Sequence, residues 1–320
     1  GNVQTQMNLS LISLEIGVAL LGVLVLLAGL WTPPNRRHLL GFCTALGLTV
    51  ILALLVKQGV SVNPITDSSG GYVRDGLAVF FKALFLLAGI LVTLLTMGFA
   101  NRLRTGGAEV YALNCFALCG MLFAASANSF VMLFVSIELI TITFYVLTSL
   151  QSHRLRSLEA GVKYLILGAL STGFLVYGIA WIYGTTGTTN LPEIAIVLSD
   201  TQSDLASNPA PLLFGLALIL LALAFKVGAV PMHIWIPDVY QGAPTPTTAF
   251  LSVGSKSAGF IVALRILDPF FTSDITRTQT TLIVLTLASL TLLVGNLAAI
   301  PQNNFKRLLA YSSIAHAGFI

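Results

Sequence analysis

LLFGLALILLALAFKVGAVPMH, residues 212–233, is the stretch that decides how this chain folds. It is apolar for long enough to cross a bilayer, which needs about 20 residues, yet Lys226 lies inside it. Gly228 and Pro231 follow closely, and a proline removes a helix hydrogen bond and clashes with the preceding turn. We therefore expect residues 211–241 to form a broken membrane helix, with Lys226 just before the break. Such breaks are tolerated where they line a cavity or are buried in protein, and their free backbone ends suit ion handling.

Three more ionisable residues lie inside apolar segments of spanning length. Lys256 lies in TPTTAFLSVGSKSAGFIVALRIL, Glu138 lies in SFVMLFVSIELITITFYVL, and Lys163 opens KYLILGALSTGFLVYGIAWIYG. A charge at the centre of a bilayer costs roughly 2.5–3.5 kcal/mol, so four unpaired charges would cost about 10 kcal/mol. Charges kept at such a cost usually serve the movement of ions or protons.

The composition is that of an integral membrane protein. The chain has 320 residues, of which 56% are hydrophobic and only 9% charged, whereas soluble domains carry about 25% charged residues. We predict an all-α polytopic membrane fold with about ten spans. The sequence has no long basic run of the kind that would indicate nucleic-acid binding. The last span starts near residue 304 and the chain stops inside its apolar run, which predicts a fragment of a longer protein. The nine preceding spans are predicted at 9–31, 38–57, 75–99, 109–126, 128–150, 160–184, 211–241, 246–267 and 279–300.

The distribution of charged residues among the loops predicts the orientation of the chain. Basic residues concentrate in the loops after the first, third, fifth and ninth spans, and by the positive-inside rule these loops face the cytoplasm. The N-terminus and the long polar loop at about 185–210 then lie outside. The basic residues concerned are Arg36, Arg37, Arg102, Arg104, Arg154, Arg156, Lys306 and Arg307.

Lys226 is the strongest candidate for proton chemistry. Burial disfavours the charged form of a lysine and a nearby carboxylate favours it, so a movable carboxylate makes a lysine load and unload a proton. Lys256 has the same character, and the alternative for both is a lysine that snorkels to an interface. Glu138 needs a counter-charge from another helix, and Lys163 is its expected partner across a short hairpin; the alternative is a purely structural ion pair. His233 is a candidate relay, since histidine has an ordinary pKa near 6.5, or else a structural histidine at the break.

Several other residues receive a plainer interpretation. Lys82 and Glu15 also lie in apolar segments, but near the outer spans, and are interpreted as structural or interface residues. Asp238 is interpreted as a cap or anchor of the loop before the next span. The sequence contains no GxGxxG after a strand, no GxxxxGK[ST] and no CxxC cluster. No nucleotide, haem, iron–sulfur or metal site is therefore predicted in this chain, and any redox chemistry is expected on partner subunits.

The motifs around these residues resemble one known family. FKVGAVPMHIWIPDVYQGAPTPTTAFLSVGSKSAGF at 225–260 is similar to the central signature of the antiporter-like membrane subunits of respiratory complex I, the proton-pumping NADH:quinone oxidoreductase. PDVYQGAPTP looks like the subunit N branch (mitochondrial subunit 2 type). IELITITFYVL, then RSLEAGVKYLILGALSTGFLVYGIAWIYG, and NFKRLLAYSSIAHAGF match the same branch. The resemblance runs from about residue 110 to the end.

The resemblance implies an architecture of about fourteen helices with two inverted repeats, each with one broken helix. It divides this chain into an N-terminal three-helix membrane region at 1–108, a first five-helix repeat with its broken helix at 109–267, and the start of a second repeat at 268–320. By motif, Glu138 resembles the carboxylate of the fifth helix and Lys163 its partner lysine. Lys226 resembles the lysine of the first broken helix, and Lys256 the central lysine of the eighth.

The function implied is that of a proton-translocating membrane-arm subunit of an NADH (or related donor):quinone oxidoreductase. NAD(H), flavin, iron–sulfur clusters and quinone are expected on partner subunits or elsewhere in the complex, and the partners are other membrane-arm subunits, lipids and protons. The location implied is a bacterial plasma membrane or an energy-transducing organellar or thylakoid membrane. Two alternatives stay open: a subunit of a multi-subunit Na⁺/H⁺ antiporter, against which PDVYQGAPTP argues, and a structural membrane-arm subunit without a proton path.

Overall fold

The computed structural model describes residues 11–33, 37–59, 64–99, 107–151, 153–200 and 208–320. These residues form an almost entirely helical bundle, and nine of the helices are long and apolar enough to cross a membrane. The helices are α1 (Ser13–Trp31), α2 (Arg37–Gln58), α3 (Gly76–Phe99), α4 (Gly107–Ser126), α5 (Phe130–Thr148), α6 (Leu155–Thr186), α7 (Leu191–Ser199), α8 (Ala210–Val227), α9 (Trp235–Gly242), α10 (Thr245–Thr272), α11 (Arg277–Ala299) and α12 (Phe305–Phe319). The all-α membrane fold predicted from composition is confirmed.

The predicted break at Gly228 and Pro231 is present. Helix α8 ends at Val227, where Gly228 adopts the left-handed region (φ 78°) and its N–H bonds back to the carbonyl of Ala224. A left-handed residue closes a helix end at least cost when it is glycine. The chain then leaves the helix until α9 begins at Trp235. Lys226 therefore lies one residue before the end of the first half-helix.

Two elements differ from the sequence prediction. Helix α6 begins at Leu155 rather than near 160 and has 32 residues, about 48 Å at 1.5 Å per residue, so it extends well past the roughly 30 Å hydrocarbon core. The predicted polar loop at 185–210 contains helix α7, because LPEIAIVLS buries an apolar face. Residues 201–207 of that loop lie outside the described residues.

A short hairpin between α2 and α3 was not predicted. Strands β1 (Ile65–Thr66) and β2 (Val73–Arg74) pair antiparallel. Two-residue strands leave almost no periodic signal in a sequence. The hairpin places Tyr72 near the N-terminal ends of α1 and α3, where it contacts Glu15 and Lys82.

The core of the bundle is built around α4, which packs against α1, α3, α5 and α10. Small residues allow the closest helix approaches. A Cβ on Gly178 of α6 would lie 2.7 Å from the carbonyl oxygen of Gly215 on α8, so only glycine permits these two helices to pack at this distance. Helix α10 contains a π-helical turn at Leu251–Ser255, immediately before Lys256. The division of the chain at 108 and 267 stays a prediction.

Candidate functional site

Lys226 is buried at the C-terminal end of α8, as the sequence predicts. Its Nζ donates a hydrogen bond to the hydroxyl of Thr141 on α5. That hydroxyl donates in turn to the carbonyl of Ile137, at 2.5 Å. The lysine is thus held by one neutral acceptor inside the bundle and does not snorkel to an interface.

Glu138 lies one turn before Thr141 on α5 and accepts a hydrogen bond from the hydroxyl of Thr172 on α6, at 2.7 Å. Glu138, Thr141, Thr172 and Lys226 line a common internal cavity between α5, α6 and α8, together with Ser171. The cavity has a volume of about 10 Å³, which is about the space one water molecule needs. Glu138 supplies the opposite charge that acts on Lys226.

The expected pairing of Lys163 with Glu138 is wrong in this structure. Lys163 Nζ instead contacts Glu159 Oε1 and Asp238 Oδ2, each at 2.7 Å, and its side chain is 42% exposed. The α5–α6 hairpin sets this register. Gly161 packs directly against Ser149, where a Cβ would lie only 2.6 Å from Ser149 Cβ, and this places Glu138 level with Thr172. Lys163 lies about nine residues before Thr172, roughly 13 Å along the helix.

Asp238 is a residue whose role the sequence analysis did not find. It accepts from Lys163 of α6 and, at 2.6 Å, from Arg307 Nη1 of α12, so it ties the second half of the broken helix to two neighbours. Asp238 and Arg307 also line a cavity of about 160 Å³ with Arg156, Glu159 and Gln241. Asp238 and Arg307 lie 69 residues apart in the sequence, so only the tertiary contact joins them.

Lys256 is buried on α10 directly after the π-helical turn. Its Nζ donates to the carbonyl oxygen of Ser313, at 2.8 Å, and to the Ser313 hydroxyl, at 2.5 Å. Ser313 belongs to α12. Lys256 therefore connects α10 to α12.

The backbones that carry the two lysines approach each other at two glycines. A Cβ on Gly228 would lie 3.4 Å from Lys256 Cε, and a Cβ on Gly259 would lie 3.1 Å from Lys226 Cβ. Each lysine thus packs against a glycine on the other lysine's segment. The helix break and the small residue on α10 together bring the segments that carry Lys226 and Lys256 into contact.

Aromatic side chains fill the space beside the broken helix. Trp235 lies 4.7 Å from Tyr164 and 5.1 Å from Phe225, measured between ring centroids, and its Nε1 donates to the carbonyl of Phe225 at 3.1 Å. The buried hydroxyls of Tyr164 and Tyr240 face Ser255 and Ser313, and neither makes a hydrogen bond of standard geometry among the described residues. These two groups are available to hold or pass a proton within an otherwise apolar cluster.

His233 lies in the irregular segment between α8 and α9 and is half-buried. Its Nδ1 is buried and has no partner in the described part of the chain, while its backbone carbonyl accepts from Ile236 N at 3.0 Å. The histidine is at the break, as the sequence predicts, and its role as a relay stays a prediction. Within the described residues, no group of three or more histidine, cysteine or acidic side chains is arranged to hold a metal ion.

Comparison with known proteins assigns this arrangement to a family. Residues 127–320 match the family described as NADH:quinone oxidoreductase/Mrp antiporter, TM. A protein of Desulforamulus reducens named "NADH-quinone oxidoreductase subunit N" is 42% identical over 316 residues, which cover 98% of this chain and 64% of the relative. The chain thus spans just under two thirds of the length of such curated relatives.

Two solved structures have the same fold. A chain in the structure of respiratory complex I from Thermus thermophilus with bound aureothin is 33% identical, with a TM-score of 0.77 over 96% of this chain and 62% of that one. A chain of the Mrp complex from Dietzia sp. is 24% identical, with a TM-score of 0.78 over 97% of this chain and 33% of that one, and it supports the fold alone. The family match covers more than half of the chain, including the buried lysines and the broken helix, and the protein therefore belongs to the NADH:quinone oxidoreductase/Mrp antiporter transmembrane family.

Proposed function

We propose that this chain is a proton-translocating part of the membrane arm of an NADH (or related donor):quinone oxidoreductase. The chain contributes to the enzyme as a subunit, and quinone reduction elsewhere in the complex drives proton movement through its buried lysines and Glu138. The name of the similar proteins, NADH-quinone oxidoreductase subunit N, supports this reading. The antiporter alternative is supported by the shared fold and by the family description, which names both classes of protein.

The observation that carries the proposal is the joint burial of Lys226 and Glu138 around one small cavity. A buried site disfavours a charged ammonium group, whereas a neighbouring carboxylate and a hydrogen-bond acceptor favour it; Glu138 lines the same cavity as Lys226, and the Thr141 hydroxyl accepts from Lys226. A displacement of either side chain changes this balance and therefore changes the proton affinity of Lys226. A static structural lysine would need a close ion-pair partner, and Lys226 has none among the described residues.

Lys256 is the proposed next proton carrier, since it packs against Gly228 at the end of the half-helix that carries Lys226. A proton released from Lys226 and taken up at Lys256 would move from the broken helix towards α12, where Ser313 accepts from Lys256. The buried hydroxyls of Tyr164 and Tyr240, the imidazole of His233 and internal water are the candidate carriers between them.

The partners and the location follow from the same proposal. We place the chain among other membrane-arm subunits, which would hold or connect to the NAD(H), flavin, iron–sulfur and quinone sites. The membrane would be a bacterial plasma membrane or an energy-transducing organellar membrane. The concentration of basic residues in the loops after α1, α3, α5 and α11 supports a location of the N-terminus on the outside.

The test uses the full-length gene in its native membrane with Lys226→Ala, and follows donor-driven quinone reduction together with proton uptake into inverted vesicles. We expect both to fall while the complex still assembles. Lys57→Ala is the matched control, because Lys57 lies exposed at the end of α2 and both activities should persist. If the Lys226→Ala complex assembles and retains both activities, Lys226 is not a carrier and the proposal fails.

A further inference from the structure

A second buried charge cluster lies outside the lysine site, near the N-terminal ends of α1 and α3. Lys82 Nζ contacts Glu15 Oε1 at 2.6 Å, and their side chains are 2% and 0% exposed. The Tyr72 hydroxyl accepts from Lys82 Nζ at 2.7 Å and lies 2.9 Å from Glu15 Oε1, to which it can donate. The three polar groups close a triangle that joins two membrane helices and the β1–β2 hairpin.

The two oxygens of the Glu15 carboxylate are not equivalent. Oε1 receives both donors, whereas Oε2 is buried with no hydrogen-bond partner in the described residues. An unsatisfied buried oxygen costs more when it belongs to a charged group than when it belongs to a neutral one. Transfer of a proton to Oε1 therefore reduces an unfavourable interaction, because it leaves Oε2 as the oxygen of a neutral carbonyl group.

Charges from neighbouring elements act on the same site. Arg74 of β2 and Arg265 of α10 both act electrostatically on Lys82. Arg265 also holds Asp75 through two hydrogen bonds of 2.9 and 3.1 Å. From α4, the thiol of Cys119 donates to the backbone carbonyl of Glu15 at 3.6 Å.

Neighbours of the site, though not Glu15, Lys82 or Tyr72 themselves, border an open groove. Asp75 and Arg265 line a groove of about 520 Å³ together with residues of α7 and α10, and Asp75 is only three residues from Tyr72. With Glu15, Asp75, Lys82, Arg74 and Arg265 all ionised, the cluster has a formal net charge of +1. Release of one proton from it leaves a neutral cluster, which low-dielectric surroundings favour.

We propose that Glu15, Lys82 and Tyr72 form a second proton-binding site, which exchanges a proton with the outer side of the membrane. A proton is transferred from Lys82 Nζ to Glu15 Oε1, which lies 2.6 Å away. The transfer leaves a neutral amine and a neutral carboxylic acid, with no change in net charge. Loss of that proton to water then leaves the neutral amine beside a carboxylate, and uptake from water reverses the step. Tyr72, whose hydroxyl contacts both Glu15 and Lys82, exchanges its own hydroxyl proton with these groups. Only N–H and O–H bonds form and break.

This site differs from a structural ion pair in one measurable respect, because Glu15 must become a carboxylic acid. Its role in transport rests on the proposed function, but its protonation does not, so the two can fail separately. The experiment is infrared difference spectroscopy of the purified chain in liposomes as the pH is lowered. The wild type should show a carboxylic-acid C=O band that shifts in heavy water and is absent from Glu15→Gln.

Two further variants sharpen the result. Lys82→Met removes the neighbouring cation, so the Glu15 band should persist and appear at a higher pH than in the wild type. Tyr72→Phe keeps every charge and the aromatic ring, so the Glu15 band should stay at the same frequency. The hydrogen–deuterium exchange of the Glu15 proton in heavy water should be slower. If the wild type and Glu15→Gln give identical spectra throughout the pH range in which both remain folded, Glu15 does not take up a proton and the site is a structural ion pair.

Discussion

Replacement of Gly228 by alanine tests whether the helix break positions both lysines. Gly228 has a φ of 78°, and an alanine in that region costs about 1 kcal/mol or slightly more. Its Cβ would overlap Ile236 Cδ1 and lie 3.4 Å from Lys256 Cε. Overpacking of this kind costs about 1–3 kcal/mol. We therefore expect Gly228→Ala to lower the free energy of unfolding by about 2–4 kcal/mol.

The matched control is Gly173→Ala on α6, where a new Cβ has nothing within 4 Å. Alanine in an open helical position stabilises by roughly 0.5–1 kcal/mol relative to glycine, so the two variants should shift in opposite directions. The measurement is denaturant-induced unfolding of the purified chain in detergent. Proton translocation by the full-length complex should fall in Gly228→Ala alone, because Ile236 must move to admit the methyl group and the backbone at the break is strained. Equal stability of the two variants would refute the reasoning.

Three further predictions follow from single contacts. Thr141→Val removes the hydroxyl that accepts from Lys226, so it should reduce proton translocation, whereas Thr143→Val loses only a bond within its own helix and should leave proton uptake into vesicles unchanged. Arg265→Lys replaces a two-point contact by a single one and should lower the free energy of unfolding by about 1–3 kcal/mol, measured by denaturant titration. Desolvation raises the pKa of Asp75, but the hydrogen bonds from Arg265 and from a backbone N–H outweigh it and keep that pKa below its usual value. The stability that Asp75 contributes is therefore complete above about pH 4, where the carboxyl of the unfolded chain ionises. It should be lost as the pH falls through the lower pKa of Asp75 in the folded protein. The difference in unfolding midpoint between the wild type and Asp75→Asn should therefore disappear in acid.

The membrane fold and the break were predictable because they depend on local chemistry. Apolar runs of spanning length form helices in lipid, since the backbone must satisfy its own hydrogen bonds there. Gly228 and Pro231 lie close together at the end of an apolar run and located the end of α8 from the sequence, whereas an isolated Pro269 stays inside α10. Burial of Lys226 and Lys256 followed in the same way from their depth in long apolar runs.

The ion pairs were not predictable by this route, because a pair depends on the rotation and axial level of two helices. The short α5–α6 loop correctly indicated that Glu138 and Lys163 lie on neighbouring helices, but Gly161 sets the level at which those helices meet. One glycine contact therefore separates Glu138 from Lys163 and aligns it with Thr172 and with the cavity of Lys226. Since Lys163 contacts Asp238 instead, a change at Lys163 acts first on the second half of the broken helix. It reaches Glu138 only if α6 moves along its axis.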